Sequence, residues 1–144
     1  MDKPNSQLLR DKVGYLPEER CLYRKMKVNE QLTFLAEMKE LKRSQSKDLI
    51  KYWLDRFELS EWADKKMEEL SRGMQQKIQF IATIIHEPNL IILDEPFTGL
   101  DPVNTELIKN VISHQKEELN INCAIHARIS VPKCATGTIC YRCN

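Results

Sequence analysis

The sequence predicts an α/β fold with an α-helical subdomain set between its strands, and three observations carry that expectation. Lys12 to Leu16 reads as a short strand stopped by Pro17, and Leu90 to Leu93 reads as a buried one. Between them, two segments repeat apolar residues at i, i+3, i+4 spacing, the mark of helices with one buried stripe. Beyond the second strand, Pro102 stands where a further helix begins, a position that tolerates proline.

Taken in order, Met1 to Lys12 is a polar lead-in containing Pro4. The first strand and the loop after it make a unit over residues 1–27. Residues 28–69 form the helical subdomain. Its first helix is expected over Val28 to Leu41, with Asn29 as N-cap and Leu32, Leu35, Met38 and Leu41 on one stripe. The second starts at Ser44 and repeats Leu49, Ile50, Trp53, Leu54 and Phe57; Trp62 falls in a short helical turn. These apolar residues are read as core, not as cofactor contacts. Residues 70–119 hold a helix from Ser71 to about His86, ended by Pro88, then the second strand, a turn, and a helix from about Val103 to Leu119. Residues 120–144 are set apart by composition: this tail contains no acidic residue, although acids recur throughout the chain before it.

With 22 Lys and Arg against 21 Asp and Glu, a net charge of +1 gives no electrostatic reason to expect nucleic acid. The longest apolar run falls well short of the roughly 20 residues of a membrane span, and the start shows no signal-peptide pattern. The expectation is a cytoplasmic chain that reaches the inner face of the cell membrane only through a partner. Cys21 stands alone, while Cys123, Cys134, Cys140 and Cys143 crowd the end; in that compartment they are thiols or metal ligands.

Chemistry concentrates between Leu70 and Asp101. Ser71, Arg72 and Gly73 open a helix, and an exposed helix start offers unpaired N–H groups to phosphate. Without that role, Ser71 is an ordinary N-cap. The strand at Leu90 ends in two carboxylates, Asp94 and Glu95. A carboxylate there suits Mg²⁺ beside a phosphate site, and its neighbour suits polarisation of an attacking water. Asp101 is a candidate cap for the helix that follows.

These residues resemble the ATP-binding subunit of ABC transporters. Leu70-Ser71-Arg72-Gly73-Met74-Gln75 is similar to that family's signature motif, Leu90 to Glu95 to its Walker B strand, and Gly99-Leu100-Asp101 to its D-loop. Val13 to Tyr23 resembles the Q-loop, with Glu18 at the place of the usual glutamine. The run Met74-Gln75-Gln76-Lys77 resembles the bacterial sodium- and drug-export branch. The resemblance covers about Val13 to Leu119 and implies a partial P-loop NTPase fold of the ABC ATPase type. It implies ATP and Mg²⁺ as cofactors, Glu95 as catalytic base and Asp94 as metal ligand. Glu18, Ser71, Gly73, Gln75 and Asp101 would then meet the nucleotide. The implied partners are a second ATP-binding subunit, whose γ-phosphate Ser71 and Gly73 would clamp, and a membrane permease docking on the helical subdomain.

Two family features are missing from the 144 residues. No GxxxxGK[ST] phosphate loop occurs, since Gly14, Gly73, Gly99 and Gly137 each precede something other than lysine. The reading is therefore of a truncated chain that begins after that loop and does not bind ATP alone. At the other end the family's Ser-Thr-His switch is not matched; the residues around His126 differ, and the switch role is not carried over to it. The tail is expected to be poorly packed, with the composition of a frameshifted end. Two rivals stay open: a DNA-repair-type ABC ATPase, disfavoured by the short helices over residues 28–57, and a non-catalytic remnant whose tail binds metal through Cys123-x-x-His126 and Cys140-x-x-Cys143.

Overall fold

The structure, a computed structural model, describes residues 12–16, 22–119, 122–127 and 139–142; for Leu119 and the last two segments it describes the backbone. Among the described residues four strands form one sheet in the order β1 (Val13–Leu16), β2 (Leu90–Asp94), β3 (Asn122–Ala127), β4 (Ile139–Arg142). β1 and β3 lie parallel to β2, on either side of it, and β4 runs antiparallel to β3. The Q-loop resemblance at Glu18, and Cys21, lie outside the described residues.

The parallel pairing of β1 with β2 requires a long crossover, and the helical subdomain supplies it. It comprises α1 (Val28–Met38), α2 (Arg43–Arg56) and two single turns at Ser60–Trp62 and Met67–Glu69; α3 (Arg72–Ile84) then returns the chain to the sheet. β2 alternates strictly: Ile91 and Leu93 are buried while Leu90, Ile92 and Asp94 are half-buried. The period of two therefore gives the sheet one sealed face and one more open face. On the sealed face α3 comes very close to β1. A Cβ built on Gly14 would stand 2.4 Å from the carbonyl oxygen of Thr83, so only glycine lets the helix lie there. His86 Nε2 lies 3.3 Å from the carbonyl oxygen of Val13, a second tie between the end of α3 and β1.

The helical subdomain packs around Val28, Leu32, Ile50, Trp53, Leu54 and Phe57, continuous with Ile78, Phe80 and Ile81 of α3. The rings of Phe57 and Phe80 meet edge to face at 5.9 Å, joining α2 to α3. Beside them the buried Lys77 donates from Nζ to the Phe57 carbonyl at 3.4 Å, at the C-terminal end of α2, where a cation suits the helix dipole.

Three expectations for this region are corrected. α1 starts two residues earlier than a cap at Asn29 allows: Lys27 is its N-cap, and the Lys27 backbone N–H donates to the Glu30 carboxylate at 3.2 Å. The helix also ends at Met38, not Leu41, because the chain turns through Glu40 in the left-handed region (φ 62°). Met38 is consequently 64% exposed, and the inward stripe runs through Leu32 and Ala36 instead.

Two segments of the tail are described by their backbone. Asn122–Ala127 takes extended backbone and continues the sheet as β3, pairing with β2 from Leu90↔Asn122 to Asp94↔His126, while the packing expected of the tail lies outside what is described. A central strand with a free side recruits any segment able to adopt extended backbone, and the residues of 122–127 do so without a strong apolar run.

Candidate functional site

The features read from Leu70 to Asp101 fall into two linked groups. The first is the start of α3. Ser71 is its N-cap, with extended backbone and a hydroxyl that accepts from the Met74 N–H at 3.3 Å. Ser71 and Arg72 are exposed, so the helix start opens to solvent. Gly73 lies in the first turn. A Cβ there would meet Asn104 Nδ2 at 3.6 Å and Leu100 Cδ2 at 3.7 Å, ordinary contacts that an alanine would tolerate. Nothing described within the chain therefore demands glycine at 73, and a demand for it would come from a group outside the chain.

Gln75 turns back toward the segment before the helix. Its Nε2 donates to the carbonyls of Met67 at 2.8 Å and Leu70 at 3.1 Å, so its amide holds the segment leading into Ser71. These bonds give Gln75 a supporting role for the helix start.

The second group is the end of β2. Asp94 closes the strand on the sheet's more open face, and Glu95 leaves it in the left-handed region with φ 51°. A glutamate seldom takes that conformation, which carries a cost of order 1 kcal/mol or more, and such strain concentrates at functional turns. It directs the chain sharply away from the strand. Thr98 Oγ1 donates to Glu95 Oε2 at 3.1 Å and restrains the carboxylate. Gly99 (φ 77°) completes the turn with open space around its Cα, so its backbone conformation alone explains the glycine.

Asp101 caps α4 (Pro102–Leu119): Oδ1 accepts from the Asn104 N–H at 2.7 Å and Oδ2 from the Asn104 amide at 2.8 Å. These bonds to the charged form, the backbone bond foremost, hold its carboxyl below the ordinary 3.8. The two groups meet through α3. Gln76, buried, donates from Nε2 to the carbonyl of Pro96 at 3.3 Å, and Gly73 lies against Leu100 and Asn104. The helix start is thus brought against the Asp101 turn, while Glu95 is reached through Pro96. The Gln76 bond is one the motif reading missed; its signal was a glutamine on the apolar side of a strongly amphipathic helix.

Comparison with known proteins decides the family. A family profile described as "ABC transporter" matches residues 1–98. The chain belongs to the ABC transporter family. An ABC transporter ATP-binding protein of Bacillus subtilis, YhaQ, is 51% identical over 110 residues, covering 76% of this chain and 37% of that protein. The lipopolysaccharide export system ATP-binding protein of Escherichia coli is 28% identical over 106 residues, covering 73% of this chain and 44% of its own length. Among solved structures, cbiO1 of Clostridium perfringens, titled part of the transporter complex cbiONQ, superposes with TM-score 0.70 at 27% identity over 88% of this chain and 51% of that one. The chain thus spans about two fifths of the length of these curated relatives. Its fold is part of an ABC ATPase fold with a helical subdomain, and it belongs with the ATP-binding subunits. No helix among the described residues is long and apolar enough to cross a membrane.

The cofactors of that family, ATP and Mg²⁺, fit these residues in part. Asp94 and Glu95 are carboxylates of the kind, one or two in number, that could serve Mg²⁺ when phosphates and waters complete its shell. Among the described residues no group of three or more His, Cys, Asp or Glu could hold a metal without such help. The open α3 start offers N–H groups to a phosphate. No sequence element here matches the glycine-rich loop and lysine that grip a triphosphate.

Proposed function

We propose that this chain carries the phosphate-clamping and hydrolytic portion of an ABC transporter ATP-binding subunit, and that the nucleotide's main grip lies elsewhere. The observation that carries this reading is the turn at Glu95: a strained carboxylate directly after the strand-end Asp94, tied by Gln76 to the helix that begins at Ser71. Asp94 would help hold Mg²⁺, and Glu95 would take the proton of the attacking water. Ser71 and Gly73 would meet the γ-phosphate of nucleotide held by a second subunit. ATP supplies a phosphoryl group whose transfer depends chiefly on positioning and charge stabilisation. The helical subdomain would dock a membrane permease, placing the complex at the inner face of the cell membrane. The sodium- and drug-export type is the branch that Met74 to Lys77 favours.

Joining the chain to the portion of YhaQ that it does not cover tests the proposal. The chimera should hydrolyse ATP, and Glu95→Gln in it should keep MgATP binding while stopping turnover. A Glu95→Gln chimera with unaltered turnover would remove Glu95 from the role of base.

A further inference from the structure

The turn after β2 holds a conformation that its own residues resist. Glu95 is left-handed (φ 51°), and it precedes Pro96, although a residue before proline is pushed toward extended backbone. Such strain persists only where the surroundings over-determine it. Bonds inside the turn move with it: the Thr98 N–H donates to the Glu95 carbonyl at 3.3 Å, and the Leu100 N–H to the Phe97 carbonyl at 3.2 Å. The bond from Gln76 Nε2 to the Pro96 carbonyl instead fixes the turn against another element, α3. The ring of Pro96 sets its φ, so holding its carbonyl leaves the adjoining Glu95 backbone little room. A buried amide is costly unless it is bonded, and this bond accounts for a glutamine at 76.

The same helix begins at Ser71, about 7.5 Å along its axis from Gln76. The segment between them is tied to itself. The Met74 N–H donates to Ser71 Oγ at 3.3 Å, and the Gln75 N–H to the Ser71 carbonyl at 2.9 Å. These first turns move as one piece, so a displacement at Ser71 reaches Gln76 and, through it, Pro96.

We propose that Gln76 is a positioning residue that makes the placement of Glu95 depend on phosphate held at the Ser71 helix start. This role rests on the reading of Ser71 as clamp and Glu95 as base. By that reading the two ends of the link serve different nucleotides. Ser71 meets one held by a second subunit, while Glu95 acts on water beside the nucleotide at Asp94. Gln76 then carries the occupancy of one site to the base of the other, through a rigid helix turn and one buried hydrogen bond.

Gln76→Met keeps the length of the side chain and removes the donor. In the chain itself, amide exchange at Thr98 and Leu100 should quicken by about tenfold while exchange in α2 stays as in the parent. In the chimera with YhaQ, the parent rate should rise sigmoidally with MgATP. Gln76→Met should lower kcat about tenfold, leave KM within about twofold, and turn the sigmoid into a hyperbola. If circular dichroism shows that the methionine variant has lost its helices, Gln76→Glu replaces it; an ionised carboxylate likewise offers the carbonyl no hydrogen. Unchanged exchange at Thr98 and Leu100 overturns the proposal. So does a fall in kcat with the sigmoid intact, which would make Gln76 structural only. Glu95→Gln distinguishes the two levels. If that chimera turns over at the parent rate, Glu95 is not the base and the coupling falls with it. If it is inactive while Gln76→Met matches the parent, the coupling alone falls.

Discussion

The side-chain amide of Gln76 donates to the carbonyl of Pro96 at 3.3 Å, fastening the helix that begins at Ser71 to the turn that carries Glu95. Both ends of this bond are buried. Gln76→Leu keeps the bulk but leaves the carbonyl without this donor, and should lower stability by about 1–3 kcal/mol. Urea unfolding followed by far-ultraviolet dichroism measures it; an unchanged midpoint would show that the Pro96 carbonyl finds another donor.

Glu95 predicts the opposite sign. Its left-handed backbone favours glycine, so Glu95→Gly should raise stability by roughly 1 kcal/mol while removing the proposed base. Thermal unfolding of the variant beside the parent chain decides it. A lower midpoint would mean that the Thr98 bond to the carboxylate outweighs the backbone strain.

Asp101 makes folding depend on acid. Its folded carboxyl titrates below the ordinary 3.8, because Asn104 bonds the charged form. A group whose folded value is depressed contributes stability above its unfolded value and loses that contribution as pH falls through the folded one. Asp101→Asn should therefore lower the unfolding midpoint at pH 7, and the gap should close as pH drops below about 3.8. A gap of constant size from pH 7 to pH 2 would assign the effect to something other than this charge.

In the core, Phe80 joins α3 to α2 through Phe57 and is fully buried. Phe80→Ala should cost about 3–5 kcal/mol, a large share of a small domain's stability. Loss of a cooperative thermal transition, or a steep fall in its midpoint, is the expected observation.

The chain by itself should give no saturable heat with MgATP at micromolar concentration in a calorimetric titration. Asp94 and Glu95 are two negative charges at the strand end, and without a phosphate loop and its lysine they repel a triphosphate. A clear one-to-one isotherm would place the nucleotide grip within this chain.

Much of this was legible in the sequence, for identifiable reasons. β1 and β2 are short apolar runs with abrupt stops, and Ser71 before an amphipathic stretch marks the start of α3 well. Both kinds of signal are local. What was not legible depends on distant neighbours or on backbone taken against propensity. Lys27 is not a residue type that announces a cap, so Asn29 drew the boundary instead. Glu40 and Glu95 adopt left-handed backbone with no glycine to signal it. Gln75 carries no mark that its amide turns back to Met67 and Leu70. β3 exists because β2 offers it a free ladder, a fact about residues 90–94 more than about 122–127.

The pairing of Val13 with Leu90 joins positions separated by the whole helical subdomain. Closing so long a loop carries an entropic cost that no contact repays until both strands are in place. The helices, held by contacts near in sequence, are therefore set to assemble before β1 reaches the sheet. Among the described residues β1 is a four-residue outer strand, held by one ladder and by the approach of α3 to Gly14. Late arrival and a narrow hold leave it easier to open than β2, so its amide protons should exchange ahead of those of β2.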